Sequence, residues 1–261
     1  MTRPRPLTAL RDWGAAVVDF LYPPVCMLCL GRLGRGERIV CDRCRARLAL
    51  EPRWRCGVCG AAGIGGEPDP GRRCRLCPPL GASYNGVLSV IGYGPLPARC
   101  VHLFKYQRRV ELGELMARLM CERLVGPLDT LSGRLDVIAP VPLHWARRMG
   151  RGFNQSQTLA RPLAVALGLP LETDLLRRTR YTRRQALLPR ERRGDNIRGA
   201  FGLGRGAGVD GLGVLLVDDV VTSGATIEEC ARTLRAAGAR EVWAASYARA
   251  GMGGGEMMND E

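Results

Sequence analysis

Residues 214–226 read Val-Leu-Leu-Val-Asp-Asp-Val-Val-Thr-Ser-Gly-Ala-Thr, and this stretch decides the fold. Val214 to Val217 describe a buried strand of a parallel sheet. Asp218 and Asp219 follow at the strand's C-terminal end, and a loop of small and hydroxyl residues comes next. An amphipathic helix then starts, with Ile227, Cys230, Ala231 and Leu234 on one face. In open α/β sheets ligands bind at this end of the strands. Thr222, Ser223 and Gly224 fall where the free N–H groups of a new helix point outward, and such a terminus attracts anions. Gly224 lets the backbone approach a phosphate closely, and the hydroxyls of Thr222, Ser223 and Thr226 can add hydrogen bonds. The two carboxylates can accept from vicinal ribose hydroxyls or hold Mg²⁺, directly or through water. The chemistry suits a phosphorylated sugar.

This pattern resembles the PRPP-binding motif of type I phosphoribosyltransferases, in which an acidic pair binds the ribose hydroxyls and the loop cradles the 5′-phosphate. Three rivals fit less well. A response-regulator receiver also opens with a strand ending in paired Asp, but it needs a phosphoacceptor Asp further downstream than the 42 residues after Asp219. A Walker A loop ends in Gly-Lys-Ser/Thr, and the chain's single lysine is Lys105. Gly206 to Gly211 matches GxGxxG but precedes a strand instead of following one, which makes it a connector. The plainest alternative is a strand-loop-helix whose acids are merely solvated.

The length of 261 residues accommodates one medium domain and a small module. The formal net charge of +14 points to anionic partners. Its basic side is 38 Arg and one Lys, a balance that favours bidentate phosphate contacts. A GC-rich genome would inflate Arg, Ala and Gly together, so the net charge is the stronger argument. No run approaches the ~18 apolar residues of a membrane span. Trp13 to Tyr22 is too short, and too interrupted by Asp19, for an export signal. A cytoplasmic location with reduced thiols is expected.

Eight of the eleven cysteines form four Cys-x-x-Cys pairs: Cys26/Cys29, Cys41/Cys44, Cys56/Cys59 and Cys74/Cys77. Each pair can supply two thiolates to a tetrahedral Zn²⁺ from one tight turn, so two structural Cys₄ sites are expected. Sequential pairing is simplest, and a crossed arrangement stays open. Disulfides suit an exported chain, and a redox pair would be single and beside a βαβ unit. Cys100, Cys121 and Cys230 lie in apolar surroundings and read as buried thiols.

Elsewhere the pattern predicts a helix over Leu7–Tyr22, a strand over Gly86–Tyr93 and a helix over Val101–Val125. It continues with a strand at Asp136–Ala139, a helix over Gln155–Leu167 and a strand over Glu241–Tyr247. Alternating strands and helices imply a parallel sheet covered on both faces. The expected domains are residues 1–80, a helix and zinc module, then 81–250, the α/β domain, with 251–261 disordered. Arg147 to Ser156 opens a helix at the ligand edge, where its guanidiniums could hold a pyrophosphate. From His144 to Ala200 there are 13 Arg against four acids. That basic stretch could close over a diphosphate, bind nucleic-acid backbone, or be a solvated loop.

Together these strings resemble the ComF (ComFC-like) family of competence proteins. The resemblance rests on Leu21-Tyr-Pro-Pro-Val-Cys26 with the later Cys pairs, and on Phe104-Lys-Tyr106. Val141-Pro142 with Arg151-Gly-Phe-Asn-Gln155 adds to it, as do Arg178, Gln185, Arg190 and Asn196. The last match is Val217 to Thr226, where Ser223 replaces a frequent second Thr. The resemblance implies a type I phosphoribosyltransferase-like parallel sheet flanked by helices, with an N-terminal double zinc-ribbon module. By position, Asp218 and Asp219 would bind ribose hydroxyls or Mg²⁺ and serve catalysis. Thr222 to Thr226 would bind the 5′-phosphate, and Arg148 and Arg151 would lie near the pyrophosphate. The implied partners are PRPP, single-stranded DNA and DNA-uptake proteins. Two functions stay open: a phosphoribosyltransferase of the glycosyltransferase class, or a non-catalytic DNA-binding module with a vestigial or regulatory PRPP site.

Overall fold

The computed structural model describes residues 23–49, 54–56, 58–59, 61–63, 73–74, 76–182 and 193–250. The helix expected at Leu7–Tyr22 and the tail 251–261 lie outside the described residues. The chain divides into two compact units, Met1–Ala49 and Leu50–Glu261, so the eight paired cysteines are split between them. In the first unit the helix α1 (Asp42–Leu48) follows the Cys41 knuckle and buries Cys44 and Leu48.

The second unit opens with a two-stranded antiparallel ribbon, β1 (Trp54–Arg55) and β2 (Ala62–Gly63). A four-stranded parallel sheet follows, built from β3 (Gly86–Gly92), β4 (Val137–Pro140), β7 (Gly213–Val221) and β8 (Glu241–Arg249). Its order is β3-β8-β7-β4, so the last strand sits inside the sheet. Leu215 pairs with Ile138 on one side and Trp243 on the other.

Side chains alternate along β7. Val214 and Leu216 join the core formed with Ile227, Cys230, Ala231 and Leu234 of helix α7 (Ala225–Ala236). On the sheet's other face lie α3 (Val110–Asp129) and α5 (Gln155–Leu167), which pack on each other and on the strands. Both faces are therefore covered, as a β7 buried from Gly213 to Val217 requires.

The expected single helix over Val101–Val125 is two. The helix α2 (Pro95–Tyr106) ends before α3, and Arg108 between them takes a left-handed φ of 53°. Apolar periodicity runs across the break because both helices bury one face, Phe104 from α2 and Leu112, Met116 and Met120 from α3. The basic stretch leads, after residue 174, into a hairpin of β5 (Leu176–Arg178) and β6 (Phe201–Leu203), with the short helix α6 (Arg193–Ile197) between its strands.

Candidate functional site

The expected strand Val214–Val217 runs on to Val221, so Asp218 and Asp219 lie within β7 and not after it. Only one neighbour makes this extension. β4 stops at Pro140, opposite Val217, whereas β8 continues to pair Asp218 with Ser246 and Val221 with Arg249. The Val141 N–H makes a last bond to Val217 O at 2.9 Å, and the β4 pairing ends there. The acid pair thus stands where β7 has lost one neighbour and kept the other.

Strand alternation sends the two carboxylates to opposite faces. Asp219, 3% exposed, forms an ion pair of 2.5 Å with Lys105 Nζ of α2. Asp218 Oδ1 accepts from Ser156 Oγ at 3.0 Å and from the Asp219 backbone N–H at 2.9 Å. Burial, joined by the Asp219 charge, pushes the Asp218 carboxyl up to about 7, while Lys105, the Asp219 N–H and Ser156 pull against them. Asp218 also borders a narrow cleft with Thr222, Gly224 and Thr226.

Gly224 is the N-cap of α7 with φ 79°, and it offers no side chain to accept from the helix's first turn. A Cβ there would lie 2.8 Å from Tyr84 Oη, so both the backbone angle and the close approach require glycine. Ser223 Oγ accepts weakly from the Ala225 N–H at 3.5 Å. The one acid of the helix's first turn, Glu228, accepts from the N–H and Oγ of Ser83 at 3.0 and 2.9 Å. The loop from Thr222 to Thr226 thus keeps the donor-rich character that anion binding needs.

The Arg-Gly-Phe-Asn-Gln string has a local structural account. Arg151 ends the short helix α4 (Trp145–Arg151), and Gly152 turns the chain with φ 84°. Phe153 packs on Phe104, their ring centroids 5.3 Å apart. The Asn154 side chain caps α5 by accepting from the Ser156 N–H, and its Nδ2 donates to Val141 O. The Gln155 side chain is buried. That cap carries Ser156 to Asp218. The side chains of Arg148 and Arg151 lie outside the described residues, but Gly150 O accepts from Arg108 Nη2 at 3.0 Å. In the hairpin, Arg180 donates to the carbonyls of Asn196 and Arg198, and the Arg178 guanidinium lies over the Phe201 ring. Lys105, Ser156, Asn154 and Tyr84 were not singled out as site residues from sequence. Lys105 lies inside the Phe104-Lys-Tyr106 string, and Asn154 and Ser156 lie inside Arg147 to Ser156, whereas Tyr84 carries no such signal.

Two clusters of four thiols form, Cys26, Cys29, Cys41 and Cys44, then Cys56, Cys59, Cys74 and Cys77, each with its Sγ atoms within 4.8 Å of one another. Four thiolates around Zn²⁺ at ~2.3 Å stand about 3.8 Å apart. The observed separations are 3.7 Å for Cys29–Cys41, 3.8 Å for Cys56–Cys77 and 3.7 Å for Cys59–Cys74. The donor sets therefore fit two tetrahedral zinc ions, which would supply the charge to hold eight thiolates. In the first cluster Cys26 Sγ accepts from the N–H groups of Leu28 and Cys41, each at 3.4 Å. In the second, Cys59 is fully buried and its carbonyl accepts from the Val87 N–H at 3.2 Å. Gly86 allows this approach, since a Cβ would lie 2.3 Å from Cys59 O. Arg249, 5% exposed, ties the same region together by donating to Val87 O and Leu76 O at 3.1 and 2.6 Å. The crossed pairing is not seen.

A parallel sheet with an acid pair before a glycine-started helix defines a phosphoribosyltransferase-type domain. The family model for the phosphoribosyl transferase domain matches residues 154–257. The DNA utilization protein YhgH of Salmonella typhi is 35% identical over 226 residues, covering 85% of this chain and 96% of that protein. Competence protein F of Haemophilus influenzae is 28% identical over 227 residues, with coverages of 86% and 96%. The chain belongs to this ComF/YhgH competence family. A glutamine PRPP amidotransferase from B. subtilis overlays on 56% of this chain and 30% of its own with 25% identity and a TM-score of 0.36. At that score the fold assignment rests on the sheet and the family model. No described helix is long and apolar enough to cross a membrane.

Proposed function

We propose that the protein binds Mg-PRPP at the open edge of β7 and acts in the cytoplasm in the handling of incoming DNA. The carrying observation is the placement of Asp218 and Asp219, beyond the end of β4 and beside the glycine-started Thr222–Thr226 loop. The acids hold the ribose hydroxyls or Mg²⁺, the loop holds the 5′-phosphate, and Arg148 and Arg151 flank the diphosphate. In the transfer reaction the bond from C1 to the diphosphate oxygen breaks and a bond to an acceptor nucleophile forms. Pyrophosphate leaves with the electron pair. Such chemistry needs charge stabilisation and positioning but no side-chain nucleophile.

Calorimetry with Mg-PRPP tests the binding, and D218N/D219N is expected to abolish it. A pyrophosphate-release assay over candidate amines and bases tests transfer. No heat from the native chain at millimolar PRPP would defeat this reading. A second reading, a non-catalytic single-stranded DNA-binding module, is favoured by the net charge of +14 and by the name of the YhgH relatives. The same titration with a DNA oligonucleotide separates the two. Arg–phosphate contacts predict affinity that falls steeply with salt, and salt-independent binding counts against them. Phe104 and Phe153 pack on each other, Tyr106 stands against His102 and Tyr181 against His144, so these rings already have neighbours.

A further inference from the structure

Lys105 is the single lysine among the 39 Lys and Arg residues, and it pairs with Asp219. Its position is fixed from both sides. Phe104, next to it, is fully buried against Phe153, and a Cβ on Gly113 would lie 2.4 Å from the Phe104 ring, so α2 and α3 leave that ring no slack. Three residues on, Arg108 holds the carbonyl of Gly150 in the arginine segment. The four residues Lys105 to Arg108 at and just past the end of α2 therefore touch both halves of the candidate site, the Asp219 carboxylate and the arginine turn. A carboxylate as buried as Asp219 is costly unless a cation accompanies it. An ammonium on a flexible four-carbon stem can give up such a partner and turn to another, whereas a guanidinium fork holds carboxylates bidentately.

We infer that Lys105 is an exchangeable counter-ion: it neutralises Asp219 in the empty site, yields that carboxylate to a divalent cation or a ribose hydroxyl, and then pairs with the ligand's diphosphate. The inference rests on the phosphoribosyl reading for its last step and on the 2.5 Å ion pair for its first. Lys105 is thus a positioning residue for the acids before binding and a phosphate contact after it. It also competes with metal for Asp219, which predicts opposite effects of its removal on two ligands.

The test is calorimetry on the full chain with MgCl₂ alone and with Mg-PRPP, for the native protein, K105Q and K105R. K105Q is expected to bind Mg²⁺ alone about tenfold more tightly, because its competitor is gone, and Mg-PRPP at least ~10-fold more weakly. K105R keeps the charge, so it is expected to bind metal alone no better than the native chain and to restore PRPP affinity to within about threefold. Structural damage would weaken both ligands in K105Q, and that result overturns the inference. So does unchanged metal binding, or tighter metal binding by K105R, which decides the matter even if K105Q fails to fold. A native chain that ignores Mg-PRPP overturns the ligand reading, while the metal-only titrations still decide the counter-ion exchange.

Discussion

The two cysteine clusters share a ligand set and differ in what they hold. The first is built into a unit of its own, Met1–Ala49, with its knuckle closed by bonds from Leu28 and Cys41 to Cys26 and its tip by Glu37. The second lies in the unit of the sheet, where the Cys59 carbonyl joins the first turn of β3 and Arg249 joins Leu76 to Val87. Identical chemistry thus closes a local turn in one place and anchors a sheet edge in the other. Spacing of cysteines reveals the metal site, but only the groups around it reveal what the metal stabilises.

Ligand removal should separate the clusters most sharply. C59S is expected to lower the melting temperature of the sheet by roughly 10 °C or more, since structural zinc contributes folding free energy directly. C29S is expected to lose one zinc and leave the sheet's melting transition in place. Both outcomes can be read from zinc content and a thermal scan. Equal melting shifts from the two substitutions would show that the clusters are equivalent after all.

A smaller effect should come from the contact between the second cluster and β3. G86A puts a methyl 2.3 Å from Cys59 O and 2.7 Å from Trp243 Cζ3, and neither backbone nor ring can yield freely. A cost of about 1–3 kcal/mol is expected in urea unfolding, with both zinc ions retained. A neutral G86A would mean that the anchor is not rigid.

The smallest effect belongs to the tip of the first cluster. Backbone N–H groups of Gly34 and Asp42 hold the Glu37 carboxyl below its ordinary 4.5. A depressed carboxylate supports the fold above its unfolded pKa and loses that contribution as pH falls through its lower folded value. E37Q should therefore release one zinc to a chromogenic chelator somewhat faster at neutral pH, and the gap from the native chain should narrow on acidification below 4.5. Faster release of both zinc ions would contradict the division into two units.

Much of this was legible in the sequence, for reasons that are local. The Cys-x-x-Cys turns, the apolar β7 and the helix Gln155–Leu167 each follow from neighbouring residues, and the cap on that helix is Asn154 itself. What was not legible depends on partners far along the chain. The acids count as strand only because β8 extends to Arg249 while β4 stops at Pro140. The break at Arg108 is hidden because apolar residues on both sides keep one period. Lys105 reads as one charge in a helix, and its pairing appears only when α2 brings it to Asp219. Arg178 and Arg180 belong to a basic stretch whose role composition leaves open, and their local contacts, which brace the β5–β6 hairpin, depend on residues about 20 positions downstream.

Arg249 also sets an order of events during synthesis. The strand it ends is the last of the described strands to leave the ribosome, yet it lies between β3 and β7. Until residues 241–249 emerge, β3 lacks its ladder partner, and the carbonyls of Leu76 and Val87 lack their guanidinium. The second metal knuckle, made some 170 residues earlier, must therefore wait beside an unpaired strand edge. A nascent chain of this design carries its longest-range bonds last, which slows folding and exposes that edge to other chains meanwhile.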